Sequence, residues 1–150
     1  MRVVIQRVSE SKVDVDNITI GSISKGLLVL LGITHEDTQE DIDYILKKII
    51  QLRIFNDTDG KMNLSLEDVN GEVLVVSQFT LHAKTKKGNR PSYIDAAHPD
   101  IAIPIYEKFV SDLKSKIGQD KVATGEFGAM MQVSLVNAGP VTIIIDSKDK

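Results

Sequence analysis

Leu27-Leu28-Val29-Leu30-Leu31-Gly32-Ile33 is the longest apolar run of this chain. Seven residues are far too few to cross a bilayer, and a continuous run of that length suits a central β-strand covered on both faces. Upstream, Val3, Ile5 and Val4, Val8 alternate across Met1–Val8, and a second alternating stretch follows at Lys12–Val15. Ser9-Glu10-Ser11 between them reads as a turn or a bend, and Ile18–Ile23 continues the strand pattern. Downstream the period changes. Ile42, Ile45, Leu46, Ile49 and Ile50 fall at helical spacing, giving one apolar stripe. Thr38 is the expected N-cap with Asp41 three residues on, and Lys47 and Lys48 sit toward the end that the helix dipole favours for cations.

Arg53–Phe55 reads as a short strand ended by the turn signal Asn56–Gly60, followed by another at Leu64–Leu66 and a turn at Asn70-Gly71. Glu72–Leu81 reads as a strand, Lys84–Ala97 as a long loop, and Pro99 and Pro104 bracket the start of a second helix. Its stripe is Tyr106, Phe109, Val110, Leu113 and Ile117, with Gly118 as the stop. Two more strands, Met130–Val136 and Val141–Ile145, are expected to join around Asn137–Pro140. The fold class expected is α/β: mixed β-sheets packed as a sandwich or partial barrel with two main helices, in a single domain spanning 1–150.

A chain of 150 residues is long enough to bury roughly 68–70% of its unfolded surface. Its 42% hydrophobic and 26% charged residues are ordinary for a globular protein. The absence of cysteine excludes disulfides, thiol nucleophiles and Cys-based zinc sites. Met1–Val8 reads as a strand rather than a signal core, so a cytoplasmic protein without membrane contact is expected. The net charge of −3 argues against a polycation seeking nucleic acid, yet Lys84, Lys86, Lys87 and Arg90 form a basic stretch with no acid among them. Such a loop is either simply solvated or steers a phosphate-bearing ligand.

No Walker loop, dinucleotide fingerprint, zinc-protease helix or nucleophile elbow is present. His35, His82 and His98 are scattered without metal-ligand spacing and read as surface or loop residues, so neither metal nor cofactor is expected. A Thr80–His82 pairing is geometrically easy if both lie on one strand, but it lacks a glycine-flanked elbow.

Two segments break otherwise apolar strands. Ser77-Gln78-Phe79-Thr80 offers hydroxyl, amide and backbone donors that either build an oxyanion hole without an ionised residue or satisfy a strand end. Asn137-Ala138-Gly139-Pro140 is either a hairpin connection or a rigid element whose carbonyls read a ligand by shape.

Together these segments resemble the D-aminoacyl-tRNA deacylase family. The resemblance runs through residues 2–8, 26–32, 53–57, 60–64, 76–81, 90–93 and 131–142, which covers essentially the full length. It implies hydrolysis of the ester bond of D-aminoacyl-tRNA, including glycyl-tRNA and tRNA-Ala mischarged with glycine, as chiral proofreading in translation. It implies a homodimer with each active site at the subunit interface, where Ser77, Gln78, Phe79 and Thr80 of one subunit face Gly139 and Pro140 of the other. The Gly139-Pro140 bond is implied to be cis, with Asn137 and Ala138 beside it, and its carbonyl oxygens to exclude an L side chain. Ala138 stands where family members also carry Asp.

Phe127 and Met130 are implied contacts to the 3′-terminal adenosine, and Lys84, Lys86, Lys87 and Arg90 contacts to acceptor-stem phosphates. Thr80 is the tempting nucleophile of the motif, but no base is placed by sequence to activate it, and the resemblance instead implies that the 2′-OH of the terminal ribose positions or activates water. The competing readings are a non-catalytic tRNA 3′-end binding module and an esterase acting without RNA.

Overall fold

Strand β1 (Arg2–Val15) is the axis of the sheet, and the other elements are best placed by what they do to it. The computed structural model describes all residues from Met1 to Lys150. After β1 come β2 (Ile18–Ile23), β3 (Gly26–Gly32), helix α1 (Gln39–Gln51), β4 (Phe55–Asn56), β5 (Met62–Leu64), β6 (Glu72–Ser77), helix α2 (Pro99–Ile117), β7 (Val122–Thr124) and β8 (Gln132–Asp146). Short 3-10 turns occupy Phe79–His82 and Gln119–Lys121.

One edge of β1 pairs antiparallel first with β3 and then with β2, while β8 pairs along its other edge. β6 adds parallel to β3, and β7 parallel to β6. Parallel neighbours require long crossovers, and α1 and α2 fall in the connections that provide them. β4 and β5 form a separate two-stranded ribbon.

The run that marks β3 behaves as its composition demands: Leu27, Leu28, Val29 and Leu31 are all buried. On the helix-covered face, Val3, Ile5, Leu27, Val29, Val73 and Val75 pack in one core with Ile45, Leu46, Ile49, Phe109 and Leu113. On the other face, Val8, Val13, Ile23, Leu28, Leu74 and Val76 form a second, smaller core. That core exists because the sheet curls into a nearly closed barrel, bringing β2 against β7. A Cβ at Gly21 would lie 2.6 Å from the carbonyl oxygen of Thr124, so the closure relies on glycine there.

Helix α1 starts as its capping pattern requires. The Asp41 carboxylate accepts the Thr38 backbone N–H at 2.8 Å, and the Asp41 N–H donates to the Thr38 carbonyl. Asp41 is buried. Burial pushes its pKa up, but Lys148, Ser147 and Thr38 all hydrogen-bond the carboxylate and hold it well below the usual range. Helix α2 has Pro99 in its first turn and continues through Pro104.

Four expectations are corrected. Ser9-Glu10-Ser11 is not a turn but the middle of β1, because Ser11 is buried there and donates its hydroxyl to the Ser134 carbonyl at 2.9 Å. The turn comes later, at Asp16 and Asn17, where φ is 50° and 64°, the left-handed pair of a tight hairpin. The expected strands at 53–55 and 64–66 lie at Phe55–Asn56 and Met62–Leu64. The C-terminal strand pair is one strand, β8. Its register on β1 jumps from Val8↔Asn137 to Gln6↔Thr142, so Ala138–Val141 bulge from a continuous strand instead of forming a hairpin.

Candidate active site

β6 ends where its sequence turns polar. Ser77 pairs with Leu31, and the Gln78 N–H donates to the Leu31 carbonyl at 2.8 Å. The chain then winds into the 3-10 turn, with Leu81 N–H donating to the Gln78 carbonyl at 3.3 Å and Ala83 N–H to the Thr80 carbonyl at 3.0 Å. The strand expected to reach Leu81 therefore stops at Ser77. A 3-10 turn rotates about 120° per residue, so positions 80 and 82 diverge.

Thr80 and His82 accordingly do not pair. The Gln78 side-chain amide donates to the Thr80 hydroxyl. His82, expected at the surface, is buried instead, with Nε2 lacking a hydrogen-bond partner and Gly32 packed close to it. His35 and His98 are exposed as expected. No group of three or more His, Asp or Glu side chains is placed to hold an ion. Arg2 straps this turn to the C-terminus, donating Nη1 to the Leu81 carbonyl at 2.7 Å and Nη2 to Asp146 at 2.8 Å.

A cavity of about 70 Å³ opens beside the turn, lined by Leu31, Ser77, Gln78, Phe79, Ala102 and Phe127, among others. Phe79 is 57% exposed and meets Tyr93 edge to face at 5.1 Å. Phe127 meets Tyr106 edge to face at 5.7 Å. Tyr106 donates its hydroxyl to the Val75 carbonyl at 3.1 Å, and burial pushes its phenol up to about 12. Met130 lies outside this cavity and is 87% exposed. Of the two aromatic or sulfur contacts expected in the 126–130 stretch, the structure thus brings only Phe127 to the cavity.

The second segment is held by side chains. Asn137 donates from Nδ2 to the Thr142 hydroxyl at 3.0 Å and accepts the Val141 N–H at 3.1 Å. Arg7 donates from Nε to the Ala138 carbonyl at 2.9 Å. The Gly139–Pro140 peptide bond is cis. Gly139 has φ +132°, so a side chain there is disfavoured by conformation, and its Cβ would displace the Arg7 guanidinium, whose Nη2 it would meet at 2.7 Å.

The two segments do not meet within the chain. Ser77 aligns with Leu31 near one end of β3, whereas Asn137 aligns with Val8, which aligns with Gly26 at the other end. Five residues along β3 and three strands across separate them by roughly 20 Å.

The basic stretch is exposed. Lys84 forms an ion pair with Asp95 at 2.7 Å, and the loop base is closed by the Lys84–Ser92 bridge. Lys86, Lys87 and Arg90 form no ion pair within the chain. Sequence reasoning did not single out Arg7, Tyr93 or Tyr106 as site residues. For Arg7 the available signal was a cation on an alternating strand whose nearest acid in sequence is Glu10, three residues on.

Fold and site together define a small α/β protein that presents uncharged donors at a strand end, rather than an ionised nucleophile–base pair. Comparison with known proteins narrows this. The family model described as D-Tyr-tRNA(Tyr) deacylase matches residues 4–146, and the chain belongs to that family. The D-aminoacyl-tRNA deacylase of Flavobacterium psychrophilum is 61% identical over 150 residues, covering 100% of this chain and 99% of that protein. The D-aminoacyl-tRNA deacylase of Thermosipho africanus is 60% identical over 148 residues, covering 99% and 98%.

Among solved structures, the c-Myc DNA Unwinding Element Binding Protein superposes with a TM-score of 0.93 at 40% identity, covering 97% of this chain and 98% of that one. A probable eukaryotic D-amino acid tRNA deacylase shares the fold at a TM-score of 0.82 and 18% identity, with 96% and 97% covered.

Proposed function

We propose that this chain removes D-amino acids from tRNA by hydrolysing the ester to the terminal ribose, and that it does so as a homodimer whose sites each combine two subunits. D-aminoacyl-tRNA deacylase activity, an ester hydrolysis, follows from family membership and from 55–61% identity to relatives of that name. The observation that carries the finer reading is the separation of Ser77–Thr80 from Gly139–Pro140 by the length of β3. A site using both segments needs a second copy. β8 offers a place for it, since it pairs only with β1 and leaves Val136 and Ile144 exposed.

In this reading the terminal adenosine occupies the cavity between Phe79 and Phe127. Water attacks the ester carbonyl carbon, and the oxyanion that forms is held by donors of the Gln78–Phe79 segment. The intermediate collapses with cleavage of the bond to the ribose oxygen, which leaves with a proton from the attacking water. No side chain of the turn is poised as a general base, so the ribose 2′-OH is assigned the orientation or relay of that proton. Gly139–Pro140 of the partner copy closes the side on which an L side chain would project. Glycine has no such side chain, so glycyl-tRNA, including glycine on tRNA-Ala, is a substrate as well. Lys86, Lys87 and Arg90 meet the acceptor-stem phosphates, and the chain works in the cytoplasm. No helix is long and apolar enough to cross a membrane.

The deciding experiment is hydrolysis of matched D- and L-tyrosyl-tRNA by the purified protein. Rapid loss of the D-ester alone is expected. Equal loss of both would remove the chiral assignment, and retained tRNA binding without hydrolysis would make this a 3′-end binding module. Substitution of the terminal 2′-OH by hydrogen is expected to abolish turnover.

A further inference from the structure

Arg7 and Lys25 line a cleft of about 280 Å³ together with Ser9, Phe55, Asn56 and Ala138, and no carboxylate is among the lining residues. Arg7 is half-buried. Its guanidinium donates Nε to the Ala138 carbonyl at 2.9 Å, and Nη1 to the Ile54 carbonyl at 2.6 Å and the Asn56 side-chain oxygen at 3.0 Å. All three acceptors are neutral, Nη2 has no hydrogen-bond partner in the chain, and neither Arg7 nor Lys25 forms an ion pair. The Lys25 ammonium lies 6.0 Å from the centroid of the Phe55 ring. The neighbouring acid, Glu72, accepts the Ser24 backbone N–H at 2.7 Å.

Hydrogen bonds to neutral oxygens satisfy the donors of a guanidinium but leave its charge uncompensated, and partly buried charge is normally paired. The half-buried Arg7 and the exposed Lys25 around one cleft, with Ser9 and Asn56 also lining it, make a site for a doubly hydrogen-bonded anion. Ala138 at the edge of the cleft is adjacent to Gly139–Pro140. The cleft therefore adjoins the segment that, in the reading above, meets the aminoacyl end of the RNA.

We propose that the Arg7–Lys25 cleft is a phosphate subsite for the RNA backbone of the substrate, distinct from the basic loop at 84–90. The assignment rests on the deacylase reading above. It extends that reading by having the subunit that contributes Gly139–Pro140 also grip the RNA backbone. Arg7 does double work there, since its Nε sets the Ala138 carbonyl while its charge is left for the phosphate.

Lys25→Gln is the test, because Lys25 is exposed and takes no part in the reacting segments. Binding of uncharged tRNA is measured by fluorescence anisotropy across a salt series. Hydrolysis is compared for D-tyrosyl-tRNA and for 3′-D-tyrosyl-adenosine, which has no phosphodiester. Loss of one single-strand phosphate contact should weaken tRNA binding about fivefold at 0.1 M salt and make the log–log salt slope shallower by about 0.7. KM for the tRNA substrate should rise by a similar factor, with kcat and the adenosine substrate unchanged.

Unchanged tRNA affinity and slope would overturn the subsite, and so would an equal slowing of the adenosine substrate, which would mean a structural role for Lys25. A third arm titrates inorganic phosphate and follows Arg7 side-chain NMR signals. Phosphate binding that Lys25→Gln abolishes, with tRNA affinity untouched, would make this a small-anion site and overturn the RNA assignment. Should the wild type hydrolyse neither ester, the deacylase reading fails, while the anisotropy slope still decides the subsite.

Discussion

Ser77–His82 caps the end of a buried strand, and its turn is closed by backbone hydrogen bonds onto β3 and onto itself. Asn137–Thr142 leaves the sheet in a bulge anchored on β1 only at its two ends, and between them it is braced by side-chain bonds, from Asn137 within the segment and from Arg7 outside it. The first segment inherits its rigidity from the core beneath it, where Val75 and Val76 are buried. The second has half-buried or exposed residues throughout and must be braced from the side. A single side chain should therefore matter little to the position of the first segment and a great deal to that of the second.

Gly139→Ala strikes this contrast hardest. The new Cβ would sit 2.7 Å from Arg7 Nη2 on a backbone at φ +132°, so it strains the bulge and pushes at the arginine that braces it. Displacements near 1 Å commonly cost about 100-fold in turnover, and at least that loss of kcat/KM for D-tyrosyl-tRNA is expected. Denaturant midpoints should show only about 1–3 kcal/mol of destabilisation. Full activity would mean that the bulge does not contribute to the site.

Asn137→Ala comes next. It strips the Val141 N–H of its side-chain partner and leaves the Thr142 hydroxyl only Gln6, at about 1 kcal/mol. The side-braced segment should then discriminate less well, seen as a smaller ratio of D- to L-ester hydrolysis. Stability lost with that ratio intact would show that the bulge is held by its backbone after all.

Acid probes the opposite half, because Arg2 ties Leu81 to Asp146. Burial pushes the Asp146 pKa up, but the Lys148 N–H and Arg2 outweigh it and hold the carboxyl below the usual carboxylate range. A carboxylate depressed in the folded state adds stability that is fully present above its unfolded value and disappears as pH falls through the folded value. Asp146→Asn should cost about 1 kcal/mol at neutral pH, and the gap to wild type should close below about pH 4 in urea titrations. A gap independent of pH would locate the effect in packing instead.

Thr80→Ala should change least. Its hydroxyl accepts only the Gln78 amide, no base adjoins it, and the turn stands on backbone bonds, so kcat is expected to stay within about tenfold of wild type, far from the loss seen when an activated nucleophile is removed. Loss of several orders of magnitude with tRNA binding intact would reinstate Thr80 as the nucleophile.

The capping of α1 by Thr38 and Asp41 and the burial of Leu27–Leu31 were legible because each depends on residues close in sequence. The same holds for both helices and for the polar break at Ser77. Less legible were the continuity of β1 through Ser9–Ser11, the bulge in β8 and the 3-10 turn after Ser77. In each case the deciding partners are remote: Ser134 for Ser11, Val8 and Gln6 for the bulge, and Leu31 for Gln78. His82 was misplaced for the same reason, since only the 3-10 turn swings it inward against Gly32.

By itself, then, the sequence determined the kinds of element, the strand that anchors the sheet and the two segments worth examining, because hydrophobic period, caps and turn residues act over a few positions. Only the tertiary structure decided that those two segments lie at opposite ends of β3, and that Arg7 joins one of them with charge to spare. Strand register and the pairing of charges are set by groups more than a hundred residues apart, such as the 131 that separate Arg7 from Ala138, and no local pattern records them.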